Sequence, residues 1–190
     1  MGDVMTRSQM TPEGRALFAT FNPLDHPTSN CASPGLPSVA VIPELQEWSA
    51  NGRTLTIRHE SYGFQRKVHF DETSHPALAH TLEGHAIGRI DGDTLTIDTA
   101  NLTAEWGGLG RNAPGSAART VRETYRLVSP DRIEGVIEIS DPNYLVHPLQ
   151  RRVTLDRQPA GTKIVDFPCD PEVAKRDYDY ISQAQKSAPH

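Results

Sequence analysis

The sequence has few cysteines, few aromatic residues, no long apolar run and no excess of basic residues. Aromatic residues make up 6% of the 190 residues. No stretch approaches the roughly 20 consecutive apolar residues of a membrane-spanning helix, so we expect no membrane span. The formal net charge is −5, and because nucleic-acid binding normally requires a basic surface, we expect no nucleic-acid partner. The remaining class is a polar chain of one-domain length that can bury a core.

The two cysteines, Cys31 and Cys169, are far apart and form no C-x-x-C motif, which excludes a zinc knuckle or thioredoxin-like motif. The residues alone leave two states open: two free thiols, or a disulfide, which requires an oxidising compartment. Residues 1–10 contain no apolar core of a secretion signal. The localisation is therefore unknown: the sequence as written favours the cytoplasm, whereas a removed signal peptide would favour the periplasm.

The first residues predict a short helix. Thr11 is a candidate N-cap, Pro12 suits the first helical position, and Leu17 and Phe18 give the helix an apolar side. A Pro-rich irregular stretch follows. We therefore divide the chain into a helical and Pro-rich lead-in (1–38), a β-barrel domain (39–169) and a polar C-terminal tail (170–190), which is helical over 171–185.

The middle of the chain predicts strands joined by turns. Asn51-Gly52 and Asp91-Gly92 are strong hairpin signals, because type I′ turns require the positive φ that these residues tolerate. The predicted strands are 39–48, 53–62, 66–70, 85–90, 94–99, 120–128, 132–140, 149–156 and 163–167. We predict an all-β fold: an up-and-down antiparallel, lipocalin-like barrel of about eight or nine strands. The alternative, an open cone-shaped sheet with covering helices, needs more helix than the sequence indicates.

Strand alternation predicts an apolar interior that also holds polar side chains. The polar side chains on the apolar faces of their strands are His59, Glu123, Tyr125, Arg151 and His147. A buried charge is costly unless it is paired. One interpretation is an internal ion pair between Glu123 and Arg151, to which Tyr125 donates. The other is that this cluster meets the polar end of a ligand whose body lies against the apolar residues.

Residues Gly84 to Thr99 read G-H-A-I-G-R-I-D-G-D-T-L-T-I-D-T. This segment resembles the motif G-H-S-I-G-R-W-E-G-D-T-L-V-V-D-T of a large, mostly uncharacterised bacterial family whose members are often exported. The similarity extends over roughly residues 11–170. The other matching stretches are the C-x-P-x-G-x-P-like segment from Cys31 to Pro37, Glu123-Thr124-Tyr125, Asp141-Pro142 with Tyr144, and Arg151-Arg152.

The resemblance implies a lipocalin-like (calycin-like) barrel and a disulfide between Cys31 and Cys169. The resemblance indicates little about which reaction, if any, this protein catalyses. The chain departs from the family pattern at Ile90, where the family usually has Trp, and at His147, where an aromatic residue is common.

The polar residues of the interior, with His85 at the expected barrel mouth, supply the groups of an acid/base site that needs no cofactor. The candidate catalytic residues are His59, Glu123, Tyr125 and His85, since one group removes a proton and another returns it. The candidate substrate-binding residues are Arg151, Arg89, His147 and Tyr144, with an arginine stabilising a developing oxyanion. The simpler interpretation of His85 is a structural histidine bonded to a turn carbonyl.

Other site chemistries find little support in the sequence. His75, His80 and His85 recur at five-residue intervals, which matches no H-E-x-x-H motif. A metal site assembled from residues of different strands is the one alternative that the sequence does not exclude. We expect no metal and no cofactor. No G-x-S-x-G motif is present.

The sequence therefore predicts a small-molecule-binding β-barrel. Our first hypothesis is a cofactor-independent lyase, isomerase, dehydratase or cyclase that acts on a small apolar or aromatic substrate. The alternative is a non-catalytic carrier of the same fold, and a third hypothesis is a structural module whose inner charges satisfy one another. The sequence does not exclude a second copy of the chain as a further partner, in a homodimer.

Overall fold

The computed structural model describes residues 7–110, 112–165 and 168–176. The α-helices are Pro12–Phe18 (α1), Ser38–Val41 (α2) and residues 171–176 (α3), and short 3₁₀ segments occupy Arg7–Gln9, Pro23–Asp25, Pro27–Asn30 and Ser61–Gly63. The strands are β1 (Gln46–Asn51), β2 (Thr54–His59), β3 (Gln65–His69), β4 (His85–Asp91), β5 (Thr94–Ala100), β6 (Glu105–Trp106), β7 (Pro114–Gly115), β8 (Thr120–Ser129), β9 (Arg132–Ser140) and β10 (Leu149–Asp156).

Eight strands form one sheet in the order β1-β2-β3-β4-β5-β8-β9-β10, and the sheet curls into a half-barrel. The all-β, barrel-like prediction with small helices is confirmed. Within the described residues β1 and β10 share no ladder, so they are the two edges of the sheet. Seven ladders join these strands, and six of them are antiparallel. The exception is the β3–β4 ladder, which is parallel. Residues 70–84 return the chain from the last residue of β3 to the end of the sheet at which β3 begins, so β4 runs in the same direction.

The local signals at the N-terminus and in the hairpins are confirmed. Thr11 caps α1 by accepting a 3.0 Å hydrogen bond from the N–H of Gly14, and Pro12 is its first residue. Gly52 and Gly92 adopt φ values of +61° and +58° in the predicted turns. Ser129 pairs with Arg132 at the turn between β8 and β9, which correspond to the predicted strands 120–128 and 132–140.

Two predicted strands differ from the structure. Residues 39–41 belong to α2, because Val39 and the adjacent Ala40 are both buried, a pattern that a helix satisfies and an alternating strand does not. The predicted strand 163–167 is not formed at residues 163–165, which lie after a turn and are mostly exposed. Its residues 166–167, like the predicted helical residues 177–185, lie outside the described residues.

The interior contains two apolar clusters. The first packs the N-terminal segment against β8, β9 and the loops, and includes Leu36, Leu102, Leu109, Ile137 and Ile139. The second fills the curl of the sheet and comprises Leu55, Ile57, Val68, Ala86, Ile97 and Tyr125. A disulfide joins Cys31 to Cys169 across a sequence separation of 138 residues. Of the two alternatives that the sequence allowed, free thiols or a disulfide, the structure contains the disulfide.

Candidate functional site

Three polar side chains are buried together on the inner face of the sheet. The guanidinium of Arg66 on β3 binds the carboxylate of Glu123 on β8 in a bidentate pair, with N–O distances of 2.6 and 2.7 Å. The hydroxyl of Tyr125 donates to the same carboxylate at 2.7 Å. Their relative exposures are 3% for Arg66, 0% for Glu123 and 3% for Tyr125. We call this set the buried triad.

The electrostatics of the buried triad keep its charges paired. Burial lowers the pKa of Arg66, but the charge of Glu123 and its hydrogen bonds raise it more, so the pKa lies above its ordinary value. Burial, followed by the charge of Glu123, raises the pKa of Tyr125 well above 10.0. Arg66 therefore stays cationic and Tyr125 stays a neutral donor near neutral pH.

This arrangement corrects the ion pair expected from the sequence. Glu123 pairs with Arg66, whereas Nη1 of the half-buried Arg151 donates to the carbonyl of Gln150 at 3.0 Å. The strand containing Arg66 was predicted, but its faces were not assigned. The alternation in β3, where Arg66 and Val68 are buried and Lys67 is exposed, is the signal that would have found this residue.

A cavity of about 880 Å³ lies beside the buried triad, between the edge strands β1 and β10. Its apolar lining includes Trp48, Leu127, Ile133, Val153 and Leu155, and its polar lining includes Glu44, Gln46, Glu60, Arg132 and Asp156. The ring of Trp48 meets the ring of Tyr125 edge-on, with centroids 5.0 Å apart. Trp48 thus connects the cavity wall to the buried triad.

A glycine on β9 makes room for this aromatic contact. Gly135 is paired with Tyr125 on one side and Val153 on the other. A Cβ at Gly135 would lie 2.7 Å from a ring carbon of Tyr125 and 2.7 Å from a methyl carbon of Val153. The Tyr125 ring therefore occupies the space that any other residue at position 135 would fill.

His59 lies on the same inner face but approaches Glu44 rather than the buried triad. It is fully buried, its ring meets Phe64 edge-on, and its Nδ1 lies 3.4 Å from Oε1 of Glu44. Within the described residues neither ring nitrogen makes a hydrogen bond. Burial would raise the pKa of Glu44, but His59 and Ser61 lower it more, so the pKa of this carboxyl lies below its ordinary value. Glu44, which also lines the cavity, was missed by the sequence analysis.

A second polar cluster lies on the opposite, outer face of the sheet. Nε2 of His85 lies 3.0 Å from Oε2 of Glu72, and Nδ1 of His69 lies 3.5 Å from Oε1 of the same carboxylate. The rings of His69 and His85 are parallel, with centroids 5.4 Å apart. Nδ1 of His75 lies 2.9 Å from Nδ1 of His85. We call these four residues the outer histidine cluster.

The outer histidine cluster separates His85 from the other candidate catalytic residues. Ala86 belongs to the inner apolar cluster with Tyr125, and successive strand residues point to opposite faces. His85 therefore does not join Glu123, Tyr125 and His59. His75 and His85 were candidates from the sequence, whereas His69 and Glu72 were missed, although the spacing His69-x-x-Glu72-x-x-His75 is visible in the sequence.

The structure does not bring the four candidate substrate-binding residues together. Arg89 and His147 are exposed, and Arg151 is half-buried as described above. Tyr144 is half-buried and packs against the first apolar cluster, and its carbonyl accepts from the N–H of Thr11 at 3.0 Å. None of these four residues lines the cavity between β1 and β10. Their binding roles stay predictions.

Comparisons with protein-family models, curated proteins and solved structures find no match to this chain. The resemblance to an exported bacterial family therefore stays an expectation. In the part of the chain that the structure describes, no helix is both long enough and apolar enough to cross a membrane.

Proposed function

We propose that this protein binds a small apolar or aromatic molecule in the cavity between β1 and β10. The observation that supports the proposal is the cavity itself, about 880 Å³ in volume and lined by Trp48, Ile133 and Leu155. Small-molecule sites commonly occupy about 300–1,000 Å³ and combine apolar walls with a few polar groups. A curled half-barrel is compatible with this kind of ligand binding.

The distribution of polar groups favours a ligand with an apolar body and one polar end. Nε and Nη2 of Arg132 donate to the carboxylate of Asp156 at 2.7 and 3.1 Å, and both side chains are about half exposed. Trp48 donates its indole N–H to Gln46 at 3.0 Å, so its ring presents apolar surface. The ligand body lies against the ring of Trp48, and its polar end lies near the exposed ion pair.

The enzyme hypothesis has support at one place, where Glu44 lines the cavity and approaches His59. Carboxylate and imidazole side chains are common general acids and bases in enzymes. Glu123 accepts from Tyr125 and pairs with Arg66, and none of the three residues lines the cavity, which favours a supporting role for Glu123 and Tyr125. We propose cofactor-independent acid/base chemistry through Glu44 and His59, of the lyase or isomerase type, as the second candidate function.

Ligand binding is tested by titration with the fluorescent probe 8-anilinonaphthalene-1-sulfonate, which has an aromatic body and one anionic end. We expect saturable binding at one site. Leu155→Arg places a charge on the cavity wall and should weaken binding by about tenfold or more, the equivalent of losing one apolar contact of about 1.4 kcal/mol. The matched control is Val146→Arg, at a residue that is 52% exposed and does not line the cavity. Equal affinities in the two variants would rule out this cavity as the binding site.

Catalysis is separated from carriage by Glu44→Gln. Small aromatic compounds are first screened for those that raise the apparent Tm, because a ligand that binds only the folded state stabilises it. With such a compound, the enzyme hypothesis expects turnover by the wild type and its loss in Glu44→Gln, with affinity retained. Bound compounds that are never converted would favour the carrier.

A further inference from the structure

The outer histidine cluster combines donors from one sheet face and one loop. In the parallel β3–β4 ladder His69 is paired with Ile87, and His85 precedes Ile87 by two residues, so all three share a face. The connection that follows His69 folds back over that face and supplies Glu72 and His75. The parallel pairing therefore brings together two imidazoles from strands and a carboxylate from a loop.

The donor atoms of this cluster lie close enough together to bind one metal ion. One donor atom from each of His69, Glu72 and His85 lies within 4.8 Å of the others. Ligand atoms at about 2.0–2.1 Å from a tetrahedral zinc ion are separated by about 3.3 Å. Nε2 of His85 lies 3.0 Å from Oε2 of Glu72 and Nδ1 of His69 lies 3.5 Å from Oε1, so each imidazole has a different oxygen of this carboxylate near that separation.

We propose that His69, Glu72 and His85 bind a divalent transition-metal ion, with Zn²⁺ the best suited. Two imidazoles and one carboxylate match the donor preference of zinc, and three protein ligands leave a fourth position open. The side chains of His69 and Glu72 are 31% and 36% exposed, so the open position faces solvent. This site is on the opposite face of the sheet from the proposed ligand cavity and is independent of it.

His75 completes the site as a hydrogen-bond partner. When His85 binds metal through Nε2, its proton is on Nδ1, and Nδ1 then donates to Nδ1 of His75, which lies 2.9 Å away. Ligating histidines are commonly held by such an outer hydrogen bond, and its loss typically weakens metal binding about 10–100-fold. His75 is therefore a positioning residue.

The proposal is tested by calorimetric titration of the full chain with Zn²⁺ alone and with Mg²⁺ alone. We expect one Zn²⁺ per chain, a rise in apparent Tm and no saturable binding of Mg²⁺, which prefers oxygen ligands. His69→Gln, Glu72→Gln and His85→Gln should each weaken Zn²⁺ binding by more than about 100-fold, and His75→Gln by about 10–100-fold. The matched control, His80→Gln, replaces an exposed histidine outside the cluster, whose ring hydrogen-bonds the carbonyl of Leu102, and should bind as the wild type does.

Co²⁺ provides a second measurement, since its visible spectrum reports nitrogen ligation and low coordination number. Metal-free unfolding curves establish that each variant is folded. His69 and Glu72 are partly exposed, so their variants decide the question even if the less exposed His85→Gln is unstable. Absence of saturable Zn²⁺ binding by the wild type, or wild-type affinity in folded His69→Gln and Glu72→Gln, would overturn the proposal. Either result would mean that Glu72 and His85 form only an ion pair.

Discussion

Removing the charge of Glu123 tests the energetics of the buried triad. Glu123→Gln keeps the shape of the side chain but leaves the guanidinium of Arg66 cationic and buried, with 3% of the residue exposed. Because a buried ion that loses its partner is not rehydrated, we expect a large fall in the free energy of unfolding.

The magnitude follows from the geometry. With N–O contacts of 2.6 and 2.7 Å, the centres of charge are about 4 Å apart, and at an effective dielectric constant of about 20 their attraction is about 4 kcal/mol. Breaking a buried pair by removing one partner typically costs about 3–5 kcal/mol. We therefore expect Glu123→Gln to lower the free energy of unfolding by about 3–5 kcal/mol. This is a large fraction of the roughly 5–15 kcal/mol of a typical domain.

The assay is urea unfolding, monitored by tryptophan fluorescence. The control is an exposed ion pair with the same N–O distance. Arg122 and Asp98 lie 2.6 Å apart, but their side chains are 61% and 37% exposed. Asp98→Asn should therefore cost at most about 1 kcal/mol. Equal costs for the two substitutions would refute the argument from burial.

A triple variant separates the cost of an orphaned charge from the value of the pair. Arg66→Met, Glu123→Leu and Tyr125→Phe together remove every polar group of the buried triad. Replacing a buried pair with apolar residues is often neutral or stabilising, so this variant should be more stable than Glu123→Gln alone. A triple variant that is less stable than Glu123→Gln would show that the triad contributes net stability.

Three further predictions concern other parts of the fold. Gly135→Ala should cost about 1–3 kcal/mol in urea unfolding and alter the near-ultraviolet circular dichroism of Tyr125, because the added Cβ overlaps its ring; an unchanged spectrum would contradict this. The pKa of Glu44 is lowered from 4.5 in the folded state, so its contribution to stability is present above that value and is lost as the pH falls through the folded pKa. Glu44→Gln should therefore be destabilising near neutral pH and nearly neutral in acid, and a difference that is independent of pH would contradict this. Replacing Cys31 and Cys169 with serine opens a loop of 138 residues and should lower the free energy of unfolding by about 2–5 kcal/mol, measured against the oxidised wild type.

The sequence was most informative where one residue type has one local consequence. Asn51-Gly52 and Asp91-Gly92 require particular backbone angles, and both hairpins are present in the structure. Thr11 and Pro12 likewise mark the start of α1. Alternation placed His59, Glu123 and Tyr125 on the inner face, where all three are buried.

The partners of those inner residues were not accessible to the same reasoning. Alternation within a strand assigns a face but does not say which strand lies opposite. Glu123 has Arg66 as its partner because the sheet curls until β3 faces β8 across the interior, a distance of 57 residues along the chain. Arg151 was expected as the partner because alternation placed it on the apolar face of its strand, whereas the faces of β3 were not assigned.

The outer histidine cluster depends on a topology that local signals do not specify. Consecutive hairpins predict antiparallel neighbours, and the alternation of β4 alone would leave His85 without a partner. The parallel pairing of β3 and β4 instead places His69 beside it. The loop that this pairing requires contributes Glu72, so one departure from the expected topology assembled the entire donor set.

Alternation also makes the two proposed sites separable by experiment. β3 supplies Arg66 to the inner face and His69 to the outer face, three residues apart. A change at His69 alters the outer cluster without removing a contact of the buried triad, and a change at Glu123 leaves the outer donors in place. If the half-barrel is rigid, Zn²⁺ affinity should survive the loss of cavity binding in Leu155→Arg, and probe binding should survive His69→Gln. If either variant lost both Zn²⁺ binding and probe binding, the two faces would be coupled through the sheet.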